Sequence, residues 1–401
     1  MAKKCGKYCG RYESGNFPKM TPSHILIGVV YNRNGIATWC VETARAILLS
    51  GRQVTLVTFR LDLLPEDLHH VAMVTEPPKS RTLIKKVADR LVWWKQFIVS
   101  PSFNPVHLQN AYRQLQNAGN APDLILVAQT DFLWPAAPVP QWVVARSWPV
   151  SLGGYLAKMK ELKSQPWLPR LHDLVFWHKM DHKAYRKATG VLAITQRLAT
   201  ALRQKGYRAH KLYPCVAVAG QLQGISRAVP RIITAALNLA DKRKNIALMM
   251  EVLGGLHVNH KPFDLTLVGL VDEETERNYR ALVPHTRFTG RLTRGELLSE
   301  MADHDIFLFA SLQENWGYVL TEAMAMGLAV ITPDLYPFEE INPNPQLRFK
   351  QYDRDDFKEK IGRVIGYPNL LNDAKGKAFE KYKASFSPVE FCNKLFEAVH
   401  P

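Results

Sequence analysis

Short apolar runs recur along this chain with helical stretches between them, and that alternation leaves few folds open. His24 to Val30 (HILIGVV) reads as a buried strand, and Tyr31 to Ile36 (YNRNGI) as a turn carrying Gly35. Ala37 to Ser50 then reads as a helix closed by Gly51, and Val54 to Phe59 as the next strand. Further strands are expected at Leu124 to Ala128, Trp142 to Ala145, Val191 to Thr195 and Leu212 to Val216, with an amphipathic helix over Arg197 to Lys205. A second series begins near Arg231, with strands at Ile232 to Leu237, Leu265 to Val268, Ile306 to Phe309 and Ala329 to Thr332. Strands separated by helices are the pattern of α/β architecture with parallel sheets. The expectation is two Rossmann-like parallel-sheet domains facing an interdomain cleft, with the ligand at the carboxyl ends of the strands.

The chain has 401 residues, enough for two domains of ordinary size. The expected division is a tail at 1–22, a first domain at 23–216, a linker at 217–229, a second domain at 230–380 and a closing segment at 381–401. No apolar run is long enough to span a bilayer, and the first residues lack the apolar core of a secretory signal. A cytoplasmic protein is therefore expected. Five scattered cysteines, Cys5, Cys9, Cys40, Cys215 and Cys392, argue for reduced thiols. The net charge of +16 implies an anionic partner: a membrane surface, a polyphosphate ligand or a nucleic acid.

The most informative segment is Ser311 to Gly327, SLQENWGYVLTEAMAMG. It follows an apolar strand, Asp305 to Ala310, and turns through Asn315, Trp316 and Gly317 into a helical run from Tyr318 to Met326. A glycine turn at a helix N-terminus is a setting for an anion, because backbone N–H groups and the helix dipole converge there. Glu314 sits in the turn and Glu322 on the helix, with seven residues between them. Two carboxylates flanking an anion site suit a polyhydroxyl ligand that also carries phosphate, as a nucleotide sugar does.

This segment resembles the E-x7-E signature of retaining glycosyltransferase family 4, and other positions agree from about Ser23 to the C-terminus. The resemblance implies a GT-B fold, with acceptor binding in the first domain and nucleotide-sugar binding in the second. It implies that the last helix, near Pro388 to Val399, returns to the first domain. It implies that Glu322 holds the donor's ribose hydroxyls, and that Glu314 with the backbone of Asn315 to Tyr318 holds the donor sugar. The glycine-containing first loop of the family approaches the donor phosphates, which gives Gly35 two readings, loop glycine of that kind or ordinary turn glycine. The first βαβ unit has no G-x-G-x-x-G fingerprint, which disfavours a nicotinamide enzyme.

After the Ile232 strand, Asn238 to Asn245 (NLADKRKN) places Lys242, Arg243 and Lys244 in a turn. Lysine and arginine both suit a diphosphate, the first as a point charge and the second as a clamp. Lys244 matches the family's pyrophosphate lysine, while Asn238 stands where the family has an arginine, and Arg243 is the candidate to replace it. In HTRFTGRLTRGE, His285 to Glu296, the resemblance puts the nucleotide base against the backbone near Gly290 and Arg291, with Phe288 in the core. The family's first-domain histidine is missing, and Arg146, Ser147 and Trp148 occupy its place. His178, Asp181 and His182 have helical spacing that reaches a metal, and Cys5 and Cys9 form a lone C-x3-C, but no metal site is expected.

Arg81 to Val99 (RTLIKKVADRLVWWKQFIV) combines an apolar stripe with flanking Arg81, Lys85, Lys86, Arg90 and Lys95 and with Trp93 and Trp94. Such a helix suits an anionic membrane surface or packing on the sheet, and Lys158, Lys160, Lys163 and Arg170 extend the basic character. The expected activity is transfer of a hexose from a UDP- or GDP-linked donor to a saccharide or lipid-linked acceptor, in polysaccharide or glycolipid biosynthesis, without a cofactor. The resemblance adds retention of configuration and no metal. Rivals are a sugar-nucleotide epimerase of the same fold and a non-catalytic basic binding protein. Nucleic acid is disfavoured because the aromatics are not interleaved with basic residues as stacking platforms require.

Overall fold

The computed structural model describes residues 22–30, 35–75, 105–128, 133–134, 136–146, 181–218, 220, 227–258 and 262–400. They form two compact units. One runs to Ala217 and takes in the chain again from Phe391, and the other is Val218–Glu390.

The first unit is built on a parallel sheet of β1 (His24–Val30), β2 (Gln53–Thr58), β3 (Ala72–Val74), β4 (Leu124–Val127), β5 (Gln141–Ala145), β6 (Gly190–Ala193) and β7 (Ala209–Lys211), in the order β3-β2-β1-β4-β5-β6-β7. Its central strands are buried at every position, as a sheet covered on both faces requires. Ile25 pairs with both Val54 and Leu124, which fixes β1 at the centre. The C-terminal helix Pro388–Val399 contributes Phe391, Cys392, Leu395 and Phe396 to the core, with Phe391 edge-on to Trp39 at 6.5 Å. Cys40, Cys215 and Cys392 are buried thiols, and burial pushes Cys40 and Cys392 up to about 12, far from reactive thiolate. Leu212–Val216, expected as the last strand, is not one. The ladder ends where Leu212 N donates to Ala193 O at 2.8 Å, and Pro214, having no N–H, takes the chain out of the sheet.

The second unit carries β8 (Arg231–Asn238), β9 (Asp264–Leu270), β10 (Arg287–Phe288), β11 (Ile306–Leu308), β12 (Ala329–Pro333) and β13 (Arg348–Phe349), again all parallel, in the order β10-β9-β8-β11-β12-β13. The chain builds outward from β8 on one side, then returns to add β11 on the other, so the winding reverses between β8 and β11. In open parallel sheets the crevice at such a reversal, at the carboxyl ends of the strands, is where ligands bind. The helices begin with local signals read directly from sequence. Asp272 accepts from Thr275 N, Asp353 from Asp356 N, and Thr293 and Glu296 cap each other reciprocally. The edge strands β3, β10 and β13 have two or three residues each, too few for a pattern that would announce them.

Lys375, Asp305 and His304 are among the polar groups that sit deep in this second unit. Lys375, on the helix Pro368–Ser385, lies 3.0 Å from Asp305 Oδ1, and each side chain is 4% exposed. Asp305 Oδ2 accepts from Arg231 N at 3.0 Å, so the acid ties the start of β11 to β8. His304 is also buried, with Nδ1 2.7 Å from Glu300 O and Nε2 2.9 Å from Thr266 Oγ1. Those partners fit a neutral ring that donates from Nδ1 and accepts at Nε2. Burial first, then Arg287 and Arg231, lower its pKa to about 4.

Removing one partner of a buried pair strands the other charge. Lys375→Ala should therefore cost about 3–5 kcal/mol, read as faster hydrogen exchange at the Ile306–Leu308 amides. A loss below about 1 kcal/mol would show that the Arg231 amide and nearby Arg227 satisfy Asp305 alone. For His304 the unfolded chain binds a proton below about 6.5 while the folded ring does so only below about 4. Stability is thus complete above pH 6.5 and falls as pH drops toward 4, by at most about 3 kcal/mol. Urea titrations across that range should show the slope, and His304→Gln should flatten it.

Candidate functional site

The loops that follow β8 and β11 meet at the reversal point of the second sheet. Asn238 Oδ1 accepts from Ala240 N at 2.8 Å and closes the first bend after β8. Asp241 then organises the turn, accepting from Arg243 N at 2.9 Å and from the Arg243 guanidinium at 3.2 and 2.7 Å. That hydrogen-bonded guanidinium holds the Asp241 carboxyl below the usual carboxylate range. The Arg243 carbonyl faces the other way and joins the two loops, accepting from Leu312 N at 2.8 Å and from Ser311 Oγ at 3.1 Å. Lys244, beside it, reaches across to the Glu314 carboxylate, which also lies 3.1 Å from Ser311 Oγ. The pair is partly screened from water, with Lys244 26% and Glu314 20% exposed, and the Phe309 ring lies 5.7 Å from the lysine nitrogen.

Beyond Glu314 the chain is held from below by aromatic packing. Trp316 is buried edge-on to Phe386 at 5.4 Å, so its indole belongs to the scaffold. Asn315 is exposed. Gly317 has φ 97° and ψ 67°, a backbone state that glycine adopts without steric cost, and it caps the helix Tyr318–Ala325. This helix is almost wholly buried, and Glu322 within it is 7% exposed. Arg294 Nε holds Glu322 Oε1 at 2.7 Å. The third contributor is the stretch after β9 and β10. Gly269 N donates to Gly290 O at 2.9 Å. A Cβ on Gly269, where φ is 146°, would fall 2.0 Å from Ala236 O, so the backbones of β8 and β9 can close together only with glycine there. Gly290 has φ 68° with open space around it, and Arg291 is exposed. Phe288 is half-buried beside the core, under the Arg280 guanidinium at 4.7 Å.

The structure thus brings Lys244 and Glu314 into contact, and sets Glu322 on the helix that continues from the same loop. It commits the Arg243 side chain to Asp241 and the Asn238 side chain to its own turn. Gly35, in the first unit, opens the helix Gly35–Leu49, two residues before the expected start, and nothing lies within 4 Å of a Cβ there. No close approach demands glycine at that position. Arg146 ends β5, while Ser147, Trp148, His178, Cys5, Cys9 and the basic stretches Arg81–Val99 and Lys158–Arg170 lie outside the described residues. His182 Nδ1 meets the Tyr207 hydroxyl within a cluster that includes Tyr185. No helix among the described residues is long and apolar enough to cross a membrane. Arg294 was not anticipated. It is one of three arginines in a short basic segment, and only the fold shows which of them faces Glu322.

Set beside known proteins, the fold has counterparts. TarM aligns with a TM-score of 0.66 at 11% identity, over 95% of this chain and 99% of its own. HepE of Anabaena, in complex with UDP, aligns with a TM-score of 0.64 at 16% identity, over 94% of this chain and 99% of its own. The fold is GT-B, two Rossmann-like parallel-sheet units. Residues 227–381 match the model of the family described as Glycosyl transferases group 1. Over 103 residues the chain is 31% identical to the phosphatidyl-myo-inositol mannosyltransferase of Mycobacterium leprae. That stretch is 25% of this chain and 28% of the relative, so the match spans just over a quarter of the relative's length.

The loop geometry rests on Gly317. Gly317→Ala should cost about 1–2 kcal/mol, the penalty of a left-handed backbone for a residue with a Cβ. Thermal unfolding would measure it, and near-ultraviolet circular dichroism of the buried Trp316 should change with it. An unchanged melting temperature would show that the loop tolerates another conformation.

Proposed function

We propose that this chain is a glycosyltransferase that moves a hexose from a nucleoside diphosphate sugar to a saccharide or lipid-linked acceptor. The proposal includes retention of anomeric configuration, no metal ion and no cofactor besides the donor. One observation carries it: Lys244, Glu314 and the Glu322 helix are assembled from the loops at the reversal point of the second sheet. On this reading they are a cation for phosphate, an acid for sugar hydroxyls and an acid for ribose hydroxyls on adjoining pieces of backbone. The relative in Mycobacterium leprae is named for a phosphatidylinositol acceptor, and HepE binds UDP. The UDP of HepE supports a nucleotide-sugar donor, read here as UDP- or GDP-linked, and the name of the mycobacterial relative supports an acceptor that is a lipid or is borne on one.

In this reading Lys244 takes the donor diphosphate together with the positive end of the Tyr318–Ala325 helix. Arg243 reaches it only by giving up Asp241. Glu314 and the backbone from Asn315 to Tyr318 orient the hexose, and the backbone about Gly290 and Arg291 receives the base. The acceptor oxygen forms the new bond to the anomeric carbon as the bond from that carbon to the diphosphate oxygen breaks. The leaving diphosphate takes the acceptor's proton on the same face, so configuration is kept. The barrier falls through positioning and through fixed positive charge at the leaving group. Residues 230–380 would bind the donor and 23–216 the acceptor. Arg81–Val99 would serve at an anionic inner membrane surface, where a glycolipid or polysaccharide precursor is found.

Titration calorimetry with UDP-, GDP- and ADP-sugars tests the donor site. One nucleotide class should bind, and Lys244→Ala and Glu322→Ala should each weaken it by about tenfold or more, as loss of a charge-assisted contact does. Incubation with acceptors and assignment of the product anomer by NMR then tests transfer and retention. A folded protein that binds none of these donors would overturn the proposal.

A further inference from the structure

Glu322 poses an electrostatic problem that the donor reading alone leaves open. It sits among buried Leu320, Thr321, Ala323, Met324 and Ala325, and a carboxylate in such surroundings is costly unless paired. Arg294 supplies an ion pair, its Nε 2.7 Å from Glu322 Oε1. Arg294 is the first residue of the helix Arg294–Ala302, where the helix dipole opposes a cation by about 0.3–1 kcal/mol. An arginine set against its own helix needs a compensating contact, and Glu322 is that contact. Its backbone is fixed by the reciprocal cap, in which Thr293 N donates to Glu296 Oε2 at 2.8 Å and Glu296 N to Thr293 Oγ1 at 3.3 Å. Arg294 follows Gly290 by four residues, and Glu322 follows Gly317 by five. The pair therefore spans from the stretch assigned to the base to the helix assigned to the ribose and phosphates.

We infer that Arg294 is a positioning residue for the donor's ribose, holding the Glu322 carboxylate turned toward the 2′ and 3′ hydroxyls. The inference rests on the donor-site reading above and goes beyond it, since nothing in that reading requires a cation at this acid. A carboxylate has about four lone-pair sites on two oxygens, so a bond from Arg294 to Oε1 leaves acceptors for a vicinal diol. Without Arg294 the carboxylate loses a charge-assisted bond and can rotate. Rotation removes an acceptor from the diol and leaves the phosphate and base contacts intact. The predicted defect is therefore selective. It concerns the hydroxyls of the ribose, not the nucleotide as a whole.

The test compares the nucleoside diphosphate with its 2′,3′-dideoxy analogue by titration calorimetry on the full chain, Arg294→Ala, Arg294→Lys and Glu322→Gln. The unsubstituted protein should prefer the ribonucleotide by about tenfold or more, because a site built to bond hydroxyls rejects an analogue lacking them. Arg294→Ala should bring that preference close to one, with the affinity for the dideoxy analogue changed less than about twofold. Arg294→Lys, which keeps the charge without the planar fork, should retain part of the preference and guards against a misfolded alanine variant. Glu322→Gln should match Arg294→Ala, and the double substitution should add little. Arg294→Ala that keeps the full preference, or loses affinity equally for both nucleotides, overturns the inference while the donor reading stands. An unsubstituted protein that binds neither nucleotide sinks the donor reading and this inference with it.

Discussion

The carbonyl oxygen of Arg243 is the point on which the candidate site depends. It accepts from Leu312 N at 2.8 Å and from Ser311 Oγ at 3.1 Å, and so laces the loop after β8 to the loop after β11. The loops come from strands paired side by side in the sheet, with Ile232 in register with Ile306. Consecutive construction could not bring them together, because 67 residues and two other strands separate Asn238 from Ile306 along the chain. The reversal of winding does so. Lys244 and Glu314 are neighbours because they flank that lacing, and no longer-range device is needed to hold them.

The charges of the second unit follow one rule at different depths. Near the surface Arg243 chelates Asp241, half-way in Lys244 meets Glu314 and Arg294 meets Glu322, and deepest Lys375 meets Asp305. Burial raises the cost of an unpaired charge, so partners become obligatory as the sheet is approached. The deep pair joins β8, β11 and the helix Pro368–Ser385, and it does mechanical work for the fold. The half-buried pairs differ, since an incoming anion or hydroxyl can still reach them. Function is expected at that intermediate depth, where pairing is strong enough to preset geometry and weak enough to exchange.

Much of this was legible in the sequence, and for physical reasons. Every central strand declares itself as an apolar run because parallel sheet is covered on both faces, and His24–Val30 was read to the residue. The turn and helix carrying Glu314 and Glu322 were legible because Gly317 and the helix-forming run after it are local signals. The edge strands β3, β10 and β13 were not, since two or three residues are too few to carry a periodicity. The last strand was misplaced because the apolar run, Leu212–Val216, begins only where β7 (Ala209–Lys211) ends, and β7 itself carries His210 and Lys211. Arg294 could not be chosen from among Arg287 in β10, Arg291 in the loop and Arg294 on the helix without knowing which of these elements faces Glu322. Pairing across the fold is information that spacing does not hold.

The Lys244–Glu314 pair also bears on what kind of ligand the site would select. A free diphosphate can take Lys244, but it leaves Glu314 a partly buried carboxylate without its cation, at a cost of about 1–3 kcal/mol. A free sugar can bond Glu314, but its neutral hydroxyls give nothing to the lysine and cannot displace it. A molecule with a diphosphate and a hexose on one scaffold satisfies both groups in a single event, so neither charge is stranded. On the proposed reading, the self-paired site discriminates against the two halves of its ligand. The contact that holds Lys244 to Glu314 is then also the source of selectivity for the intact donor.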